Sequence, residues 1–110
     1  MIKIIMNGCN GKMGQVITRL VADDSECEIV AGFDVNTSAE NAYPVYSDPN
    51  EYDGPADVVI DFSHPSCLTG LLDYCKRRRL PVILCTTGFT PEQKEEFKAA
   101  SSEIPVFFSA

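Results

Sequence analysis

The chain opens with Lys3-Ile4-Ile5-Met6-Asn7-Gly8-Cys9-Asn10-Gly11-Lys12-Met13-Gly14, and the succession of residue types there sets the architecture. Lys3 to Met6 is a short, bulky, β-prone run halted by Asn7-Gly8, which predicts a buried strand. Three glycines follow at G-x-x-G-x-x-G spacing, one residue wider in the first gap than the common G-x-G-x-x-G. Beyond them Met13, Val16, Ile17, Leu20 and Val21 recur in steps of 3, 1, 3 and 1, a single stripe along a helix. A strand feeding a helix through glycines has a physical logic. The tight turn needs unusual backbone angles, an anion approaching the backbone leaves no room for a Cβ, and the helix must lie close on its strand. Backbone N–H groups and the positive helix end then favour a phosphate without any basic side chain.

The same alternation continues outward. Glu28 to Phe33 reads as a second strand ending at Asp34, 20 residues beyond Gly14. Residues 35 to 57 change character: Pro44, Pro49, Gly54 and Pro55 break any helix, Tyr43 to Tyr46 allow a short edge strand, and Asp48 to Tyr52 a single helical turn. Asp57 to Asp61 is a third buried strand. Pro65 suits the first position of the next helix, whose stripe is Leu68, Leu71, Leu72 and Cys75. That helix ends in Lys76-Arg77-Arg78-Arg79, read as a solvated terminus complementing the dipole. Pro81 to Cys85 is a fourth strand. Thr90-Pro91-Glu92-Gln93 predicts a capping box opening a helix to about Ser101, and Pro105 to Phe108 a fifth strand. Strands alternating with helices, each strand apolar throughout, predict a Rossmann-like α/β domain. Its sheet is parallel, with helices on both faces.

Composition limits what this domain does. The 110 residues fit one domain, and 45% apolar with 23% charged residues is a globular profile. Sixteen acidic against nine basic residues give a net charge of −7, which argues against nucleic acid as a partner. No apolar run approaches the ~18 residues of a membrane span. The five cysteines are odd in number, widely spaced and free of any CxxC, which fits reduced thiols in a cytoplasmic protein. One histidine and no paired cysteines make a structural zinc improbable, and no metal is expected.

Ligands of such sheets bind beyond the C-terminal strand ends, which here carry Gly8 to Met13, Asp34, Asp61-Phe62-Ser63-His64, Cys85-Thr86-Thr87-Gly88-Phe89 and Ser109-Ala110. A carboxylate at the position of Asp34 accepts hydrogen bonds from ribose hydroxyls, so the pattern predicts a dinucleotide site. The carboxylate repels a 2′-phosphate and Val35 supplies no cation, so NADH is expected to be preferred, with Lys12 allowing residual NADPH binding. His64, before Pro65, reads as a cap or crevice rim. Cys9 reads as a filler rather than a nucleophile, since no histidine is expected beside it.

Gly8-Cys9-Asn10-Gly11-Lys12-Met13-Gly14, Asp61-Phe62-Ser63-His64-Pro65, Thr86-Thr87-Gly88-Phe89 and the final Phe107-Phe108-Ser109-Ala110 together resemble the amino-terminal half of the 4-hydroxy-tetrahydrodipicolinate reductases (dihydrodipicolinate reductases). The resemblance covers essentially the whole chain. It implies a two-domain oxidoreductase of diaminopimelate and lysine biosynthesis. Residues 1–110 would be its NAD(P)H-binding domain. A carboxy-terminal domain, absent from this chain, would hold the dicarboxylate heterocycle and build a homotetramer. By position, Gly8, Cys9, Asn10, Gly11, Lys12 and Met13 look like the pyrophosphate turn and Asp34 the ribose ligand. Phe62 is expected among the cofactor-binding residues. Cys85, Thr86 and Thr87 look like the segment beside the nicotinamide, and Ser109 and Ala110 like the start of a further contact. The family usually has glycine where Cys85 stands, so that side chain either crowds the cofactor or faces the core. The family's catalytic histidines and lysine would lie outside these residues; none here is assigned as proton donor, and the chain alone is expected to lack turnover. The other readings are a free-standing nucleotide-sensing module and the cofactor domain of another two-domain dehydrogenase, of the homoserine or aspartate-semialdehyde type.

Overall fold

The computed structural model describes residues 1–109, so the expectation placed on Ala110 lies outside the described residues. The strands are β1 (Ile2–Asn7), β2 (Cys27–Phe33), β3 (Val45–Tyr46), β4 (Val58–Asp61), β5 (Val82–Leu84) and β6 (Val106–Phe108). The helices are α1 (Lys12–Ala22), α2 (Leu68–Arg78) and α3 (Pro91–Ala100), with single 3-10 turns at Pro49–Glu51 and Pro65–Cys67. Each expected element is present, including the edge strand and the isolated turn between β2 and β4, but Pro65 opens a 3-10 turn rather than α2, which begins at Leu68. The six strands form one sheet in the order β3-β2-β1-β4-β5-β6, every neighbouring pair parallel. The chain steps outward from β1 to β3, then returns to the other side of β1 as β4. Connections therefore leave the tips of β1 and β4 in opposite directions, which opens a crevice between them.

Alternation along the strands divides the core into two layers. Ile5, Val59, Val82 and Leu84 face Leu68 and Leu72 of α2 and Phe97 of α3. Met6 turns the other way and packs with Cys9, Tyr43 and Ile17 of α1. Cover is unequal: among the described residues α1 is the only helix on the second face, joined there by Tyr43, and Leu20 and Phe107 remain 63% and 60% exposed. A helix ~10 Å across covers roughly two strands spaced ~4.8 Å, so one helix leaves much of a six-stranded face open. The apolar stripe of α1 is consequently only partly buried.

Local signals hold the ends. The Thr90 Oγ1 accepts from the Gln93 backbone N–H at 3.1 Å and the Gln93 Oε1 accepts from the Thr90 N–H at 2.9 Å, the complete capping box. The basic run closing α2 departs from the solvated reading. Arg78 donates to the Gly54 carbonyl at 2.6 Å and to the Tyr74 hydroxyl at 2.7 Å, while Arg77 pairs with Asp53 at 3.4 Å. The segment between β3 and β4 is polar and broken, with few side chains of its own to bury, so guanidinium donors from α2 satisfy its carbonyls instead.

Candidate functional site

The glycine turn closes by backbone bonds. The Gly8 N–H donates to the Phe33 carbonyl at 2.7 Å, and the Gly11 N–H to the Gly8 carbonyl at 3.1 Å. Gly8 has φ of 82°, and a Cβ there would land on the Phe62 carbonyl. Gly14 meets a different limit: its Cβ would strike the Gly8 carbonyl and the Cys9 backbone, so α1 lies directly on the turn. Gly11 faces a cleft; the nearest protein atom to a Cβ there is the Gly8 oxygen, at 3.3 Å. The first-turn N–H groups of α1, at Lys12 and Met13, have no acceptor within the helix by its geometry.

That cleft, of about 540 Å³, opens at the crevice between the tips of β1 and β4. One wall is Phe33, Asp34 and Val35 at the end of β2; the other is Phe62, Ser63 and His64 after β4; Gly70 and Leu71 of α2 close it behind. Asp34 is half-buried, and its two oxygens are each used once: Oδ2 accepts from the Asn10 N–H and Oδ1 from the Asn36 N–H, both at 2.9 Å. A carboxylate has about four lone-pair sites, so capacity for two further hydroxyl donors remains. Asp34 thus ties the glycine turn to the tip of β2 while lining the cleft. Asn10 braces the same junction: its side-chain N–H donates to the Asn36 carbonyl at 2.6 Å, and its Oδ1 accepts from Asn41 at 2.8 Å.

Of the residues singled out from sequence, Gly8, Gly11, Asp34 and Phe62 line the cleft together. Lys12 and Met13 are exposed on the first turn of α1. Cys9 turns away and is fully buried against Tyr43; burial, with the Asp34 charge added, pushes its thiol up to about 11. It is a protonated filler, and no histidine stands beside it. Cys85, Thr86, Thr87 and Ser109 sit at the tips of β5 and β6, outside the cleft lining. Cys85 is half-buried, and its N–H donates to the Asp61 carbonyl at 2.9 Å. Thr86 is buried with its hydroxyl directed inward, whereas Thr87 is exposed. The Ser109 N–H donates to the Leu84 carbonyl at 2.9 Å and prolongs the ladder. His64 both caps and rims: its Nδ1 accepts from the Ser66 N–H at 3.1 Å, and it lines the cleft.

One group, named in the sequence only as part of a strand end, was given no role there. Asp61, 2% exposed, accepts from Asn7 Nδ2 at 2.9 Å, from Ser63 Oγ at 2.5 Å and from Thr86 Oγ1 at 2.9 Å. Burial raises its carboxyl pKa, and those three hydrogen bonds oppose the rise. A charged residue closing the apolar run Val58-Val59-Ile60 was the available signal. Among the described residues no group of three potential ligands is placed to hold a metal ion, and no helix is long and apolar enough to cross a membrane.

A parallel sheet of this order, a glycine turn feeding α1 and a cleft at the reversal of strand order define a Rossmann-like domain of the nucleotide-binding class. Comparison with known proteins narrows this. The chain belongs to the family described as "Dihydrodipicolinate reductase, N-terminus", whose model matches residues 2–110. It is 46% identical over 110 residues to a 4-hydroxy-tetrahydrodipicolinate reductase of Caldanaerobacter subterraneus and 42% identical to one of Clostridium tetani. In both cases the match covers 100% of this chain and 43% of the relative, so the chain spans less than half the length of the curated relatives it matches. Among solved structures, the dipicolinate-bound dihydrodipicolinate reductase of Paenisporosarcina sp. TG-14 superposes with a TM-score of 0.72 at 26% identity, over 92% of this chain and 43% of that one.

Proposed function

We propose that this chain is the NAD(P)H-binding domain of a 4-hydroxy-tetrahydrodipicolinate reductase. In the longer protein, a cytoplasmic homotetramer of diaminopimelate and lysine biosynthesis, the bound nicotinamide supplies hydride to a cyclic dicarboxylate held by a second domain. The observation that carries this reading is the cleft itself: a bare glycine turn faces a half-buried carboxylate across the tips of β1 and β2. The residues fit the group. Gly8 and Gly11 leave backbone exposed to a pyrophosphate, the Lys12 and Met13 N–H groups point to an anion, and Asp34 retains lone pairs for the adenosine ribose. Cys85, Thr86, Thr87 and Ser109, at the tips of β5 and β6, are the residues for the nicotinamide end. Thr86 takes part there through its backbone, because its hydroxyl donates to Asp61.

Asp34 also sets the preference between cofactors. Two unit charges ~4 Å apart in water repel by about 1 kcal/mol, and a 2′-phosphate carries more than one. NADH is therefore expected to bind about tenfold more tightly than NADPH, a difference of ~1.4 kcal/mol. Calorimetric titration with each nucleotide tests this. Saturable one-site binding that favours NADH, and a preference erased by Asp34→Ala, support the reading. No binding of either nucleotide at millimolar concentration overturns it.

A further inference from the structure

Asp61 stands in the wall of the cleft without facing it. Taking a carboxylate out of water is costly unless its lone pairs are filled. Among the described residues no cation is paired with Asp61; its partners are three neutral donors from three strand tips. Asn7 belongs to β1, Ser63 follows β4 and Thr86 follows β5, respectively 54, 2 and 25 residues away in sequence. The ring closes on itself. Asn7 Nδ2 also donates to Ser63 Oγ at 3.2 Å, and the Ser63 N–H donates to Thr86 Oγ1 at 2.8 Å. A leucine-sized apolar side chain would suit the buried site energetically, but it would fix none of these rotamers. The carboxylate instead pins the next residues in line. Asn7 leads into Gly8, Ser63 sits between the cleft residues Phe62 and His64, and Thr86 leads into Thr87-Gly88. Gly8 already lies so close under Phe62 that a Cβ would collide with its carbonyl, so the spacing of these tips sets the width of the cleft at its floor.

We propose that Asp61 is a positioning residue for this cleft, whose carboxylate, bonded at once to Asn7, Ser63 and Thr86, holds the tips of β1, β4 and β5 at the spacing a dinucleotide requires. This rests on the nucleotide-binding reading above and names a residue that touches no part of the ligand. It separates affinity from stability. Asp61→Asn removes a costly buried charge at constant shape but presents an amide N–H₂ where a donor already points. The two effects on folding oppose one another, so nucleotide affinity is expected to fall while the urea midpoint changes little, whereas a residue of structural importance alone loses both together.

The test is the Kd for NADH, with the urea midpoint measured in parallel, for wild type, Asp61→Asn, Thr86→Val and Thr86→Ser. The expected result is a loss of about tenfold for Asp61→Asn and Thr86→Val, with Thr86→Ser, which gives back the hydroxyl, recovering most of it. Should Asp61→Asn fail to fold, the contrast of Thr86→Val with Thr86→Ser decides. Folded Asp61→Asn and Thr86→Val chains within twofold of wild type overturn this inference and leave the nucleotide reading standing. A wild-type chain that does not bind NADH overturns the nucleotide reading, and this inference with it.

Discussion

Gly14 shows how little room a single position leaves. It opens the first turn of α1 in ordinary helical conformation, so alanine would be favoured there by ~1 kcal/mol on helix propensity. A Cβ would, however, strike the Gly8 carbonyl and the Cys9 backbone, and backbone cannot rotate aside as a flexible side chain does. The clash outweighs the propensity. Gly14→Ala is expected to lower stability by more than ~2 kcal/mol, read as a reduced urea midpoint. An unchanged midpoint would mean that α1 lifts off the turn freely, and that the turn is not held in shape by its helix. Asp34 works at the same scale in the opposite sense. One carboxylate fastens the turn through Asn10, fastens the following loop through Asn36, and still has lone pairs to offer a ribose.

At the scale of elements, what was legible in the sequence was local. The capping box of α3 spans four residues, and both of its hydrogen bonds form as read. The glycine turn, the strand end at Asp34 and the edge strand β3 follow from short-range chemistry too. What escaped depends on partners far apart in sequence. Asp61 reads as a strand-end acid until the sheet brings Asn7 and Thr86 to it across 54 and 25 residues. Arg78 reads as a solvated cation until the loop carrying Gly54 folds under it, 24 residues away. The stripe of α1 predicted a helix correctly but not how much of it would be covered, because that depends on how many helices share its face of the sheet. Thr86 was assigned to the site by its place after β5; only the fold reveals that its hydroxyl is turned inward.

For the whole molecule, burial of weakly acidic groups makes stability depend on alkaline pH. Burial pushes the Cys75 thiol up to about 12, with the Asp61 charge adding to it, and Cys9 up to about 11, both from 9.0. Burial also raises the phenols of Tyr43 and Tyr74. Above pH 9 the unfolded chain releases these thiol protons while the folded chain keeps them. The unfolded state then binds fewer protons, and stability falls as pH rises toward about 12. Urea midpoints should therefore be level near neutrality and drop steadily above about pH 9. A midpoint that is constant or rising over that interval would mean the thiols are solvated and the two-layer core is looser than described.

The central claim is that one cleft, at the reversal of strand order, holds the dinucleotide. Backbone amide shifts of the ¹⁵N-labelled chain during an NADH titration test it most directly. Saturable shifts are expected, concentrated at Gly8, Gly11, Lys12, Met13 and Asp34, with smaller ones at Ser63 and Thr87. Shifts confined to the opposite edge of the sheet, or none at millimolar NADH, would contradict it.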